Sequence, residues 1–195
     1  MANIVRDILA APAGYRSREV GLFVAQMDDQ SRRLTQDTRG ADVAELEWQP
    51  AAGLNTIGML LAHIAIVEVF WILVATRGPA ASNVEPVLGI GNDDDGMPLP
   101  ANGLPPDALR AKPIRFFDDL LARARAHTKQ AVAGLGDADP DREVTRTRRD
   151  GLSEVLNVRW ILYHVLEHEA GHYGQINLLR HQFRTLANPA ERRGG

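Results

Sequence analysis

Three histidines carry the chemistry this sequence can do. His168 and His172 stand four residues apart in the stretch from Trp160 to Phe183, WILYHVLEHEAGHYGQINLLRHQF. At about 100° per residue, Ile161, Val165, His168, His172, Ile176, Leu179 and Phe183 fall in one helical stripe about 80° wide. Both histidines therefore stand where core residues belong. A buried neutral imidazole needs a partner for each ring nitrogen, and two in succession on an inward face favour a shared ligand such as a metal ion. An i, i+4 pair holds one ion when a third nitrogen arrives from another segment. Taken singly, each histidine reads better as an ordinary hydrogen-bonded core or edge residue; only the clustering points to a site.

The segments that must position them are helical. Apolar positions at Val20, Phe23, Val24, Met27 and Leu34 give residues 15–38 the spacing of a first helix. Gly40 to Gly53 reads as a connecting loop, with Pro50 disfavouring helix at Gln49 and Trp48 covering an end of the core. Asn55 suits the N-cap of a second helix, whose stripe is Thr56, Met59, Leu60, His63, Val67, Phe70 and Val74 and which ends before Arg77-Gly78-Pro79. His63 lies at the centre of that stripe. Residues 78–106 are rich in Pro, Gly, Asn and Asp without sustained period and read as a long crossover or lid. Their Asn92-Asp93-Asp94-Asp95-Gly96 invites comparison with a calcium loop, but Gly91 and Asn102 stand where an EF-hand needs Asp and Glu, so a solvated turn is expected. A third helix starts near Pro106 or Lys112, carries Ile114, Phe117, Leu120, Leu121, Ala124 and Ala131 inward, and stops at Gly134 and Gly136. Polar residues 137–151 form a loop in which Arg146, Arg148 and Arg149 read most economically as a solvated charge cluster, with the rim of a pocket for an acidic substrate as the lesser alternative. The fourth helix starts near Ser153; residues 1–13 read as an N-terminal extension and 186–195 as a disordered tail.

Four long helical patterns and no convincing period-two run predict an all-α fold over a single domain, residues 1–195. The expected architecture is an antiparallel four-helix bundle with a long connection between helices two and three. Helix two then lies near helix four, and His63 can meet His168 and His172 inside the bundle as one facial set of three. His164 is also four residues from His168 but about 80° from the stripe centre, which suits a pocket wall. His127 and His181 default to surface roles.

Composition bounds the function. The 195 residues, 45% apolar, suffice for one sizeable core. A formal charge of −3, from 22 basic and 25 acidic residues spread along the chain, gives no general attraction to nucleic acid or an anionic membrane. Without cysteine there is no disulfide framework, thiolate metal site or cysteine nucleophile, and a reducing cytoplasm is the compatible setting. MANIVRDILAAPAG has no basic leader, so export is not expected. The apolar run Ile57 to Ala75 contains His63 and Glu68, which would be costly in lipid, and reads as a buried bundle helix.

His168-Glu169-Ala170-Gly171-His172 matches the H-E-x-x-H pattern of zinc proteases. A metzincin would also need Gly at 175 and His at 178, where this chain has Gln175 and Leu178, and few residues remain for another ligand helix. A protease of that class is the least favoured reading. Glu169-x-x-His172 is half of a ferritin-like di-metal site, but helix two lacks the matching half, so a mononuclear site fits better.

The chain resembles the DinB-like superfamily, the four-helix metal-binding group that includes bacillithiol and mycothiol transferases. Leu46-Glu47-Trp48-Gln49-Pro50, then Asn55-Thr56-Ile57-Gly58 leading into His63, Glu68 and Trp71, then Arg159-Trp160 through His168-Glu169-Ala170-Gly171-His172-Tyr173-Gly174-Gln175 carry the likeness in order. It is nearest a branch whose members have no assigned reaction, in which the position of His168 is often Glu. The resemblance implies that His63, His168 and His172 bind a divalent metal, commonly nickel or zinc. It also implies a metal-dependent enzyme in which the ion activates a low-molecular-weight thiol, or water, against a small electrophile. With no cysteine in the chain, the thiol would be a cosubstrate, and Glu169 or His164 would move protons. The rival reading is a non-catalytic, metal-bound stress or interaction protein. Leu162, Tyr163, Leu166, Ala170 and Tyr173 make the fourth helix apolar away from its histidine stripe, which predicts a homodimer.

Overall fold

The computed structural model describes residues 7–187. The expectations for the first six residues and for the tail beyond 187 lie outside the described residues. Four long helices make the body: α1 (Arg18–Thr38), α3 (Ile57–Arg77), α5 (Ile114–Val132) and α6 (Val158–Gln182). Shorter elements join them, α2 (Val43–Glu47), α4 (Glu85–Leu88) and the hairpin strands β1 (Glu143–Thr147) and β2 (Ser153–Asn157). A π-helical turn, Phe183–Ala187, follows α6 and takes in the first residues assigned from sequence to the tail.

The helix boundaries follow from caps. The Thr56 hydroxyl accepts from the Met59 amide at 3.2 Å, so the N-cap lies one residue after the expected Asn55 and α3 starts at Ile57. Gly78, with φ of 88°, closes it by returning its amide to the Val74 carbonyl. Asp42 caps α2 through the Glu45 amide at 2.8 Å, which puts a short helix inside the connection expected to be a loop. Asn157 caps α6 through the Trp160 amide at 2.8 Å. The fourth helix therefore begins at Val158 rather than near Ser153, because residues 153–157 pair with β1 in an antiparallel register running from Glu143–Asn157 to Thr147–Ser153.

That hairpin corrects the expectation of an irregular loop. Its period-two signal is faint: Val144 and Leu156 alone are buried, and Val155 is exposed. With one inward residue per strand the pattern offers little alternation to detect.

α3 is the centre of the core. Its most apolar window has a mean hydropathy of 2.3, enough in length and composition for a membrane span, yet 83% of that window is buried within the protein. Leu60, Leu61 and Ile64 pack with Phe117 and Leu120 of α5 and Ile176 of α6, while Ile72 and Val74 join Val20, Val24 and Met27 of α1 and Ile161, Leu162 and Val165 of α6. Each such side chain contributes about 1.5–3 kcal/mol when fully buried. Gly58 permits the close approach of α3 to α5: a Cβ there would lie 2.9 Å from the Phe117 ring.

Cross-helix contacts fix direction. Glu19 meets Arg159, Ser31 meets Glu169 and Asp37 meets Tyr173, so α1 and α6 run parallel. Gly58 abuts Phe117 and Glu68 bonds Arg125, so α3 and α5 are also parallel. His63 lies against His168 and Trp71 against Trp160, which makes α3 and α6 antiparallel. The expected all-α four-helix bundle is present, in an up, down, down, up order. The long connection from 78 to 113 is what allows two consecutive long helices to point the same way.

The remaining face of α6 is largely accounted for within the chain. Leu162 is in the core, Leu166 and Tyr173 pack against it, and the Tyr173 hydroxyl donates to Asp37 of α1; Tyr163 and Ala170 are exposed.

Candidate metal centre

In the first half of α3 and near the middle of α6, three histidine rings turn toward one point. Nε2 of His168 lies 3.1 Å from Nε2 of His63 and 3.0 Å from Nε2 of His172. One ligand atom from each of the three falls within 4.8 Å of the other two. Nitrogens about 2.0–2.1 Å from a common ion stand roughly 2.9 Å apart at right angles and roughly 3.4 Å apart at the tetrahedral angle. Both close separations lie between those limits.

The outer nitrogens decide what the inner ones present. The Asp95 carboxylate accepts from His63 Nδ1 at 2.7 Å, and the Gln175 side-chain carbonyl accepts from His172 Nδ1 at 2.8 Å. With the proton on Nδ1 in both, His63 and His172 each aim an Nε2 lone pair at His168. A neutral His168 can donate from Nε2 to only one of them. Hydrogen bonding alone therefore leaves one lone pair facing another, whereas a cation satisfies all three. The donor set fits a divalent ion.

Two of the rings are also held neutral. Burial pushes His168 down to about 3, helped by the neighbouring His172, His63 and His164. Burial likewise lowers His172, against the upward pull of its bond to Gln175. Neutral imidazole is the ligand form, so protons compete weakly for these nitrogens near neutral pH.

The sequence matches the family model of the DinB superfamily over residues 26–176, a span that holds all three histidines. The chain belongs to the DinB superfamily. No match to a curated protein was found.

In this DinB protein Glu169 faces elsewhere. One position on from His168 it is turned about 100° around the helix. Its carboxylate accepts from Ser31 Oγ at 2.6 Å and from Arg125 Nη2 at 3.0 Å, and it is 1% exposed. Arg125 also forks onto Glu68, Nε to Oε1 at 2.8 Å and Nη2 to Oε2 at 3.1 Å, with Thr128 Oγ1 donating to the same carboxylate at 2.6 Å. Burial drives Glu169 up to about 7, with Arg125 opposing and Glu68 reinforcing. Burial alone would lower Arg125, but Glu68 and Glu169 hold it firmly protonated. The H-E-x-x-H match thus places its glutamate in a buried ion network that ties α3, α5, α6 and α1 together, not over the histidine nitrogens.

His164 is placed at the wall of a cleft. Its ring stacks on Trp160 with centroids 4.8 Å apart, its Nδ1 lies 3.0 Å from Glu167 Oε1, and its centroid is 5.7 Å from that of His168. His127 is half-buried on α5, and His181 is exposed.

Sequence reasoning missed Asp95, Gln175 and Arg125. Asp95 belongs to the acidic run expected to be a solvated turn, yet it is 3% exposed, with Oδ1 accepting from the Met97 amide at 2.9 Å and Oδ2 held by His63. Asn92 anchors the same run, its side chain donating to the Ser82 carbonyl at 2.8 Å and accepting from the Val84 amide at 3.1 Å. The signal was the acidic run itself, whose last aspartate orients a histidine.

Proposed function

We propose that this DinB-superfamily protein is a divalent-metal-dependent transferase that activates a low-molecular-weight thiol, or water, for attack on a small electrophile. The observation that carries it is the convergence of three imidazole nitrogens, two with their tautomers fixed by Asp95 and Gln175, beside a cleft open to small molecules. Three imidazoles suit zinc or nickel. An ion held there lowers the pKa of a thiol or water in the remaining position and so supplies a nucleophile near neutral pH.

The chain's own contribution is orientation and proton handling. Asp95 and Gln175 aim His63 and His172, and the Arg125 network holds the backbone beside His168. His164, on the cleft wall, is the residue we assign to carry the thiol or water proton away; Glu169, engaged with Ser31 and Arg125, is assigned a positioning role. The nucleophile bonds the electrophilic centre while the leaving group departs with its electron pair. A free-thiol cosubstrate needs a reducing compartment, which supports a cytoplasmic setting. The exposed Tyr163 face of α6 is the seam we assign to a homodimer, and a concentration-independent monomer in sedimentation would remove that assignment.

The test of the function is to incubate zinc- and nickel-loaded protein with a panel of thiols and an alkylating electrophile. Thiol-dependent loss of the electrophile, abolished by His168→Ala, is expected. Metal retention with neither thiol binding nor turnover would overturn the transferase and leave the non-catalytic metal protein.

A further inference from the structure

The cleft beside the histidines continues past Trp71. One cavity, of about 340 Å³, is lined by His63, Asp95, Trp71, Arg146 and Arg149 among others. A second, of about 560 Å³, shares Trp71, Arg146 and Arg149 and adds Trp160, His164 and Arg148. The shared residues make them adjoining ends of one groove, with His63 of the triad lining the first end and His164 the second.

Arg146 stands where the two ends meet. Its guanidinium carbon lies 4.4 Å from the centre of the Trp71 ring, and its Nε donates to Glu154 Oε2 at 2.7 Å. Stacking and that single bond fix the plane of the fork and occupy only its Nε edge; among the described residues neither Nη group has a hydrogen-bond partner. A planar guanidinium held this way presents paired donors that match a carboxylate. Arg149 is paired with Asp93 at 3.0 Å and Arg148 with Asp150 at 3.2 Å, both in exposed pairs that water screens and a ligand can exchange. Of the acidic groups at the groove, Asp93, Asp150 and Glu154 are each paired with an arginine, and Asp95 accepts from the His63 ring.

We propose that the groove selects a carboxylate-bearing cosubstrate, its carboxylate gripped by Arg146 with Arg149 and its reactive end reaching the three histidines. The word cosubstrate rests on the transferase reading; the carboxylate site stands on the groove alone.

The test uses the full zinc-loaded chain and a matched pair of ligands, 3-mercaptopropionate and the neutral 3-mercaptopropionamide, titrated by calorimetry. The acid is expected to bind about tenfold more tightly than the amide. Arg146→Gln and the exposed Arg149→Gln, which leaves the packing untouched, are each expected to shrink that preference while the amide binds as before. Succinate, which carries no thiol, is titrated in parallel by the fluorescence of the groove tryptophans. If neither thiol binds but succinate gives a saturable change that Arg146→Gln abolishes, the carboxylate site holds and the thiol reading fails. Equal binding of acid and amide with no saturable succinate response overturns the proposal, and so does a preference that survives both arginine variants.

Discussion

The Asp95 carboxylate, from the long connection after α3, holds His63 Nδ1 at 2.7 Å and thereby turns the other nitrogen of that ring toward His168 and His172. A connection without regular period thus supplies the orienting partner of a candidate metal ligand. Such outer partners typically set metal affinity within about 10–100-fold. Asp95→Ala is therefore expected to weaken zinc binding by that factor, measured by competition with a chromophoric chelator. Asp95→Asn keeps an acceptor oxygen and should lose less. Equal affinity in the wild type and Asp95→Ala would mean that the contact does not tune the ion.

Each of the three histidines should be required for stable metal retention. Elemental analysis of protein purified without an affinity tag is expected to show about one equivalent in the wild type and in His127→Ala, and a strong loss in His63→Ala, His168→Ala and His172→Ala. An ion at a thousand times its Kd stabilises the fold by about 4 kcal/mol, so a chelator should lower Tm in the wild type and barely move it in the triad variants. Undiminished metal in His63→Ala would take α3 out of the site.

The sequence was most informative where one helix face carried both packing and chemistry. Ile161, Val165, His168, His172 and Ile176 share a face of α6, so periodicity exposed the candidate ligands along with the core. His63 was harder: α3 is buried on nearly every side, its stripe is hardly distinct, and the residue emerged only once helix two was set beside helix four. Asp95 has no period to betray it, because its position depends on the whole path of the connection across the bundle. Arg125 carries no motif of its own; its role needs two carboxylates more than forty residues away on either side to converge on it. The hairpin was hidden because two buried residues, Val144 and Leu156, do not make an alternation.

Arg125 should be among the least replaceable side chains away from the metal. Glu68 and Glu169 are both buried, and removing the guanidinium leaves two carboxylates facing each other without a counter-charge. Breaking a buried pair by deleting one partner costs about 3–5 kcal/mol. Arg125→Met is expected to lose stability in that range by urea unfolding. Arg125→Met combined with Glu68→Leu and Glu169→Gln should recover much of it, since the stranded charges go as well. A triple variant no more stable than the single would show that hydrogen-bond geometry, not charge, is what the network supplies.

Glu169 gives the fold a pH dependence of definite sign. Its carboxyl rises from an ordinary 4.5 to about 7 in the folded chain, mainly through burial. The folded state therefore binds this proton more tightly than the unfolded state. Its contribution is fully present below pH 4.5 and is lost as pH rises through about 7. His168 acts the other way: with its ring pushed from 6.5 down to about 3, the unfolded chain binds that proton more tightly, so stability falls as pH drops through that interval. A comparison of variants separates the two. Glu169→Gln imitates the protonated carboxyl and retains groups for Ser31 and Arg125 but does not titrate, whereas His168 titrates equally in both proteins. With metal removed by chelation, the Tm of Glu169→Gln relative to wild type is expected to climb as pH goes from 4.5 to about 7 and then level off. A difference that stays flat across that window would mean Glu169 is ionised throughout, with Arg125 strong enough to hold both carboxylates charged inside the bundle.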